Sequence, residues 1–409
     1  MHRVKSVLSL LAAFALVLAA GQSYATTFTT LVSFDGPNGS VPYGNSLTLS
    51  ADGSTLYGMT AEGGASNAGT VFSIPAAGGT LTTLLSFHGS DGDTPKGNLT
   101  LSADGSTLYG MTEGGGANFK GNIFSIPAAG GTPTNLVSFN GTNGSEPYGS
   151  LTESGSTLYG MTAFGGTFNS GAIFSIPAAG GSPTILGANT SPAYGNLTFS
   201  ADGSTLYGMT RVSGTNNDGT IFSIPVAGGN TTTLFSFSGA NGALPNGSLT
   251  LSGSTLYGMT ESGGAHGDGM VFSIPITGGT LTDLLDFNGT NGESPYGDLT
   301  LIGSTLYGMT EQGGAFGHGN IFSISASGGP QTILHSFDPP NGAAPYGDLT
   351  SSADGSTLYG MTLGGGPNDD GTLFSLTLTP EPSSIVLLGL GAIGLAAAAR
   401  RRRIQNQAA

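Results

Sequence analysis

The string Ser-Thr-Leu-Tyr-Gly-Met-Thr occurs seven times, with its tyrosine at Tyr57, Tyr109, Tyr159, Tyr207, Tyr257, Tyr307 and Tyr359 and spacings of 52, 50, 48, 50, 50 and 52 residues. A period near 50 means an array of units, each burying its apolar faces only against its neighbours. In every copy a second strand-like string follows, around Phe72, Phe124, Phe174, Phe222, Phe272, Phe322 and Phe374, usually reading Phe-Ser-Ile-Pro. A Gly-Gly turn leads to a third string such as Thr80 to Phe87, and a short fourth one, as in Leu99-Thr100-Leu101-Ser102, precedes each tyrosine. Four short β runs divided by turn residues make one sheet per repeat. Composition agrees: 73 of 409 residues are Gly and only 8% are charged, which excludes helical bundles, while 37% hydrophobic residues suffice for a core.

Length differences between copies identify the turns. Four copies carry Ala-Asp-Gly before the Ser-Thr-Leu string (at Asp52, Asp104, Asp202 and Asp354), and the other three are two residues shorter. Asp-Gly reads as a hairpin turn, so these aspartates are not a catalytic or metal ring. From Thr26 to Phe34 the chain forms a third-type string with no Phe-Ser-Ile string before it, and Thr372 to Leu378 is a second-type string with no partner after it. Joining the two completes a seventh sheet. The expectation is an all-β, seven-bladed propeller of four-stranded blades, closed by its N- and C-terminal strands, rather than an open solenoid. Copy three lacks the usual Ser-Phe after Ile185-Leu186-Gly187, which predicts an irregular blade edge there.

The ends read as addresses. Residues 1–25 run from Arg3 and Lys5 through an apolar stretch to Ser23-Tyr24-Ala25, a signal peptide with cleavage expected after Ala25 by signal peptidase. Residues 380–409 hold Pro380-Glu381-Pro382, an apolar run from Ile385 to Ala399 and the cluster Arg400, Arg401, Arg402 and Arg403. A short transmembrane helix with its N-terminal side outside follows from the charge pattern. This three-part tail resembles the PEP-CTERM sorting signal of Gram-negative bacteria. The resemblance implies recognition and removal by an exosortase, transient inner-membrane anchoring, and delivery to the outer surface or an extracellular matrix. The repeat itself is similar to the tandem GloVer repeat of choice-of-anchor surface proteins: Leu-Tyr-Gly-Met-Thr, Gly219 to Phe222, and the link Phe139 to Gly149 carry the likeness. That family implies no activity, cofactor or substrate.

The domain reading is therefore 1–25, 26–379 and 380–409. Between residues 26 and 379 only Lys96, Lys120 and Arg211 oppose 23 acids, leaving a charge near −20 that disfavours nucleic acid as a partner. There is no Cys, hence no disulfide and no thiolate metal site. No nucleophile elbow, phosphate loop or zinc motif appears.

Sites are sought where the copies differ. The loop between the second and third strands has eight residues in every copy, with constant ends and variable contents. Its exposed-face candidates are Phe119, Phe168, Asp218, His266, Asp268, Phe316, His318 and Asp370. Two readings fit: aromatics beside acids and amides that stack on and bond to a sugar polymer, or ordinary solvated turns. His266 with Asp268, and His318, fit no zinc or calcium motif, and His88 to Asp93 lacks the full calcium-loop pattern, so no cofactor is assigned and calcium is unsupported. The repeated Tyr and Met, and the Asn-Gly-x-x-Pro-Tyr-Gly links, read as packing and turns. The functional expectation is a noncatalytic, exported propeller that binds exopolysaccharide or a matrix protein. The alternative is a glycan-active hydrolase or lyase using Asp218, Asp268 and Asp370.

Overall fold

Period-2 alternation within each repeat decides how the sheets stack. In the computed structural model, which describes residues 24–44, 46–188 and 193–380, the strands form seven four-stranded antiparallel sheets. Blade one comprises Thr48–Leu49, Thr55–Thr60, Thr70–Pro75 and Thr82–Ser86, and blades two to six repeat this order. Blade seven takes Thr350–Ser351, Thr357–Thr362 and Thr372–Pro380 from the C-terminal side and its outermost strand, Tyr24–Ser33, from the N-terminus. Contacts gather residues 28–375 into one unit, while 1–27 and 376–409 are grouped separately; of the latter, 24–27 and 376–380 are described, as ends of the first and last strands. The signal peptide's residues 1–23 and the sorting tail's 381–409 lie outside the described residues.

The closing blade copies the others. The N–H of Phe34 donates to the Gly371 carbonyl at 3.0 Å, as Phe87 does to Gly69, Phe139 to Gly121 and Phe237 to Gly219 within single repeats. Each core cluster lies between blades. Met59, Val71 and Phe87 of blade one meet Leu99, Leu108, Phe124 and Ile126 of blade two, and Tyr359, Met361, Leu373 and Phe34 of blade seven meet Leu47, Leu56, Phe72 and Ile74 of blade one. Leu56 and Met59 therefore face opposite neighbours from one strand, which is what alternation demands. Six of the seven interfaces carry a Phe–Phe contact with centroids 5.2–5.6 Å apart, as at Phe87–Phe124 and Phe34–Phe72.

The glycine of Leu-Tyr-Gly-Met-Thr is required by this packing. It pairs across the sheet with the phenylalanine of the next strand, as Gly58 with Phe72, and a Cβ on it would lie 2.5–2.7 Å from that ring in all seven blades. The predicted irregular edge of copy three is absent from its described part. Thr184–Ala188 pairs with Ala172–Pro177 through the same bulge found in blades one, two, four, five and six. Gly187 stands where those blades have Leu85, Val137, Phe235, Leu285 and His335, and Ile224 of blade four occupies the space, its Cδ1 lying 2.6 Å from where a Cβ would be.

The Asp-Gly turns are as expected. Asp202 accepts bonds from the Ser200 hydroxyl (2.6 Å), the Ser204 N–H (3.0 Å) and the Ser204 hydroxyl (2.8 Å). Those bonds, the Ser200 hydroxyl first, hold its carboxyl at about 2. Because the pKa is depressed in the folded state, the stabilisation is present above the unfolded value near 3.8 and is lost as pH falls toward 2. Asp202→Ala should lower the melting temperature by roughly 1–2 °C at neutral pH. The gap between variant and wild type should close as the medium approaches pH 2, and a gap independent of pH would contradict the assignment.

Each inner strand is also tied to the next around the axis. Thr48 donates its hydroxyl to the Leu99 carbonyl, Thr100 to Leu151, Thr152 to Leu197, Thr198 to Leu249, Thr250 to Leu299, Thr300 to Leu349 and Thr350 to Leu47, at 2.5–2.8 Å. The last bond joins blade seven to blade one, so the circuit is closed.

Candidate functional site

Just before each inner strand, the Pro-Tyr-Gly end of the link brings seven residues to the axis, where they line a cavity of about 330 Å³. At the tyrosine position stand Tyr43, Lys96, Tyr148, Tyr194, Asn246, Tyr296 and Tyr346. The next residue is glycine in every blade, and it lets neighbouring links touch: a Cβ on Gly97, Gly149, Gly195, Gly247 or Gly297 would collide with the carbonyl oxygen of the following blade's glycine.

Nearer the strand, a ring of short polar side chains forms the floor. The backbone N–H of Ser46 donates to Asn98 Oδ1 (2.6 Å), Asn98 to Ser150 Oγ (2.5 Å), Ser150 to Asn196 Oδ1 and Asn196 to Ser248 Oγ (2.6 Å). Ser248 then donates to Asp298 Oδ1, Asp298 to Asp348 Oδ1 (2.5 Å), and Asp348 to Ser46 Oγ. This second circuit again passes through all seven blades. Asn98 Nδ2 also donates to Asp348 Oδ2 at 3.1 Å. Burial pushes both carboxyls above the ordinary range, and the charge of Asp348 pushes Asp298 further. Like charges this close oppose the ionisation of both at once.

The walls are aromatic. Tyr296 and Tyr346 rings lie 3.8 Å apart, Tyr43 and Tyr346 4.4 Å with their hydroxyls bonded at 2.8 Å, and Tyr148 and Tyr194 4.7 Å. Burial raises the phenols of Tyr148, Tyr194, Tyr296 and Tyr346, so they stay neutral donors and acceptors. Two of the three basic residues between 26 and 379 come here. Lys96 Nζ is 2.7 Å from Glu113 Oε2 and lies over the rings of Tyr148 (4.4 Å) and Tyr43 (4.9 Å). Glu113 also accepts from the Tyr148 hydroxyl at 2.8 Å. Arg211 pairs with Glu261 at 2.7 Å and donates to Asn246 Oδ1 at 2.8 Å, while its guanidinium carbon lies 5.9 Å from the centre of the Tyr194 ring. Both cations are thus neutralised, and the cavity offers flat aromatic faces with convergent hydroxyls and amides but no free positive charge.

Reading the Pro-Tyr-Gly links as turns misses this site. Lys96 and Asn246 at the tyrosine position, and the scarcity of cations elsewhere, are the signals that the sequence holds for it. The structure places the expected loop residues elsewhere, one or two in each of blades two to seven. Asp218, Asp268, His318 and Asp370 end their loops, and their backbone carbonyls accept from Leu244, Ser294, Ala344 and Val41 at 2.9–3.1 Å, fastening the following link. None of them lines the cavity, nor does His266. Phe119, Phe168 and Phe316 project into solvent, 82%, 89% and 61% exposed. Among the described residues no three His or acidic side chains stand together as a metal site. His88 and Asp91 form a turn, with the His88 N–H bonded to Asp91 at 2.7 Å.

The sequence profile described as the Gloeobacter/Verrucomicrobia repeat matches residues 18–198 and 192–388, and that of the PEP-CTERM protein-sorting motif matches 378–403. No curated protein sequence matches the chain. Among solved structures the chain is similar to an oligogalacturonate lyase from Vibrio parahaemolyticus, with a TM-score of 0.55, 10% identity, and coverage of 89% of this chain and 100% of that one. It is also similar to an oligogalacturonate lyase in complex with manganese, with a TM-score of 0.54, 13% identity, and coverage of 90% and 98%. At such identities the likeness speaks for the propeller fold alone.

Proposed function

Because the chain belongs to the Gloeobacter/Verrucomicrobia repeat family and ends in a PEP-CTERM motif, we propose that it is a noncatalytic surface propeller binding a neutral sugar unit of an extracellular polysaccharide in its axial cavity. The sorting motif implies exosortase processing and export to the envelope of a Gram-negative bacterium. The domain division at residues 25 and 379, with cleavage after Ala25, belongs to the same proposal.

The observation that carries the reading is the convergence of five tyrosines over a ring of amides, hydroxyls and carboxyls. Flat apolar rings match the faces of a pyranose, and short polar groups match its hydroxyls. Paired cations disfavour an acidic sugar as the occupant. The glycan-cleaving alternative fits less well: acid and base must flank the bond they cleave, about 5 Å or more apart. Asp298 and Asp348 instead bond to each other and to backbone N–H groups. Co-sedimentation of the purified exported protein with the producing organism's exopolysaccharide tests this. We expect binding without shortening of the polymer, and a loss of roughly tenfold or more in affinity for Tyr296→Ala. Polymer shortening would support the enzyme instead, and absence of binding would remove the cavity reading.

A further inference from the structure

The loops between second and third strands are built to one plan, and in two adjacent blades a phenylalanine takes a left-handed position in it. The seventh loop position is left-handed in all seven copies: Asn67, Phe119, Asn169, Asn217, Gly267, Gly317 and Asp369. In three of them the side chain staples the loop, Asn67, Asn169 and Asp369 accepting from the N–H of Gly63, Gly165 and Gly365 at 2.7–3.0 Å. The sixth position supplies a second staple, through which Asn118, Asn216 and Asn368 donate to the carbonyls of Phe139, Phe237 and Phe34 at 3.0–3.4 Å.

Blade two keeps the sixth-position staple and gives the seventh position to Phe119. Blade three keeps the seventh and gives the sixth to Phe168. Both phenylalanines have positive φ, 56° and 69°, a region that bulky side chains disfavour and that Asn or Gly enters easily. Each therefore forgoes a hydrogen bond, adopts a strained backbone and exposes nearly all of an aromatic ring. None of these choices stabilises the fold. Strain retained at an exposed position is a mark of function. Beside Phe119 stands Lys120, exposed and without an ion pair among the described residues, unlike Lys96 and Arg211.

One of these loops is tied to the cavity wall at its base. The loop bearing Phe119 starts at Glu113, the carboxylate that holds Lys96 and the Tyr148 hydroxyl. We propose that Phe119 and Phe168 form an outer subsite for the same polysaccharide, on which sugar units beyond the one in the cavity lay their faces while Lys120 donates to their hydroxyls. The inference rests on the cavity reading. A lipid surface is a poorer occupant, since a segment with a charge near −20 is repelled by anionic headgroups and a neutral polymer is not.

Titration of the exported protein with size-fractionated fragments of the producing organism's exopolysaccharide tests the proposal. Fragments of about six units should bind on the order of tenfold more tightly than single units, the scale of one or two stacked faces. In the double variant Phe119→Asn, Phe168→Asn this ratio should fall to near one while the melting temperature rises, because both left-handed positions receive a residue that enters that region easily. The matching pair Phe119→Tyr, Phe168→Tyr should keep the ratio. Single units binding with no gain for longer fragments would overturn the outer subsite and leave the cavity reading standing. No binding of any fragment would overturn both. A double variant that melts below wild type would contradict the strain on which the inference is built.

Discussion

Gly195→Ala should cost about 3 kcal/mol of stability or more, and at the upper end prevent the ring from closing. A Cβ there meets the Gly247 carbonyl oxygen and carbon and, at 3.0 Å, the Ser248 nitrogen. All are backbone atoms of the next blade, so no rotamer change relieves the collision, and any backbone shift breaks the bond from the Asn196 N–H to Ser248. Gly203→Ala provides the contrast. That turn glycine has φ +69° and nothing within 4 Å of the point a methyl group would occupy, so only its backbone preference is lost, about 1 kcal/mol. Urea unfolding of the two variants separates the cases. Equal losses would mean that the blades do not touch at the axis as described.

The second large effect concerns the acidic pair. Folding raises the pKa values of Asp298 and Asp348, so their contribution to stability is greatest below the unfolded value of 3.8 and is lost as pH rises through their folded values. This runs opposite to the Asp-Gly turns, whose contribution is lost toward acid. Asp298→Asn keeps an acceptor for the Ser248 N–H and offers an amide to Asp348, removing the like-charge conflict. The variant should gain about 1–2 kcal/mol at neutral pH and show a flatter stability profile above about pH 4. Asp298→Ala, which orphans the Ser248 N–H, should lose about 2 kcal/mol across that range. Stability measured against pH for the three proteins decides this, and an unchanged slope in Asp298→Asn would show that the pair is fully ionised.

Much of the fold was legible because packing repeats. Tyr57, Gly58, Met59 and Phe72 recur with their roles intact, and the unpaired strings at the two ends already define the closing blade. The cavity was less legible for a physical reason. Tyr43 and Tyr346 touch although 303 residues separate them, and nothing local in a Pro-Tyr-Gly link distinguishes a ring facing an axis from a ring packed in a core. Only closure assembles them. Copy three is a mixed case: the missing Ser-Phe falls at the edge of the described residues, while at Gly187, just before it, Ile224 from the neighbouring blade fills the space a side chain would take. A substitution in one repeat can be answered from another, which is invisible when copies are compared position by position.

A protein exported to the envelope meets proteases, and this one has no cysteine with which to hold severed pieces. Its two axial circuits of hydrogen bonds run across the chain rather than along it, so neighbouring blades are fastened whether or not the link between them is intact. One cut in a link therefore frees no blade, just as blade seven holds together with no covalent turn between Thr372–Pro380 and Tyr24–Ser33. The propeller resembles a cask bound by two hoops, in which a split stave stays where it was set.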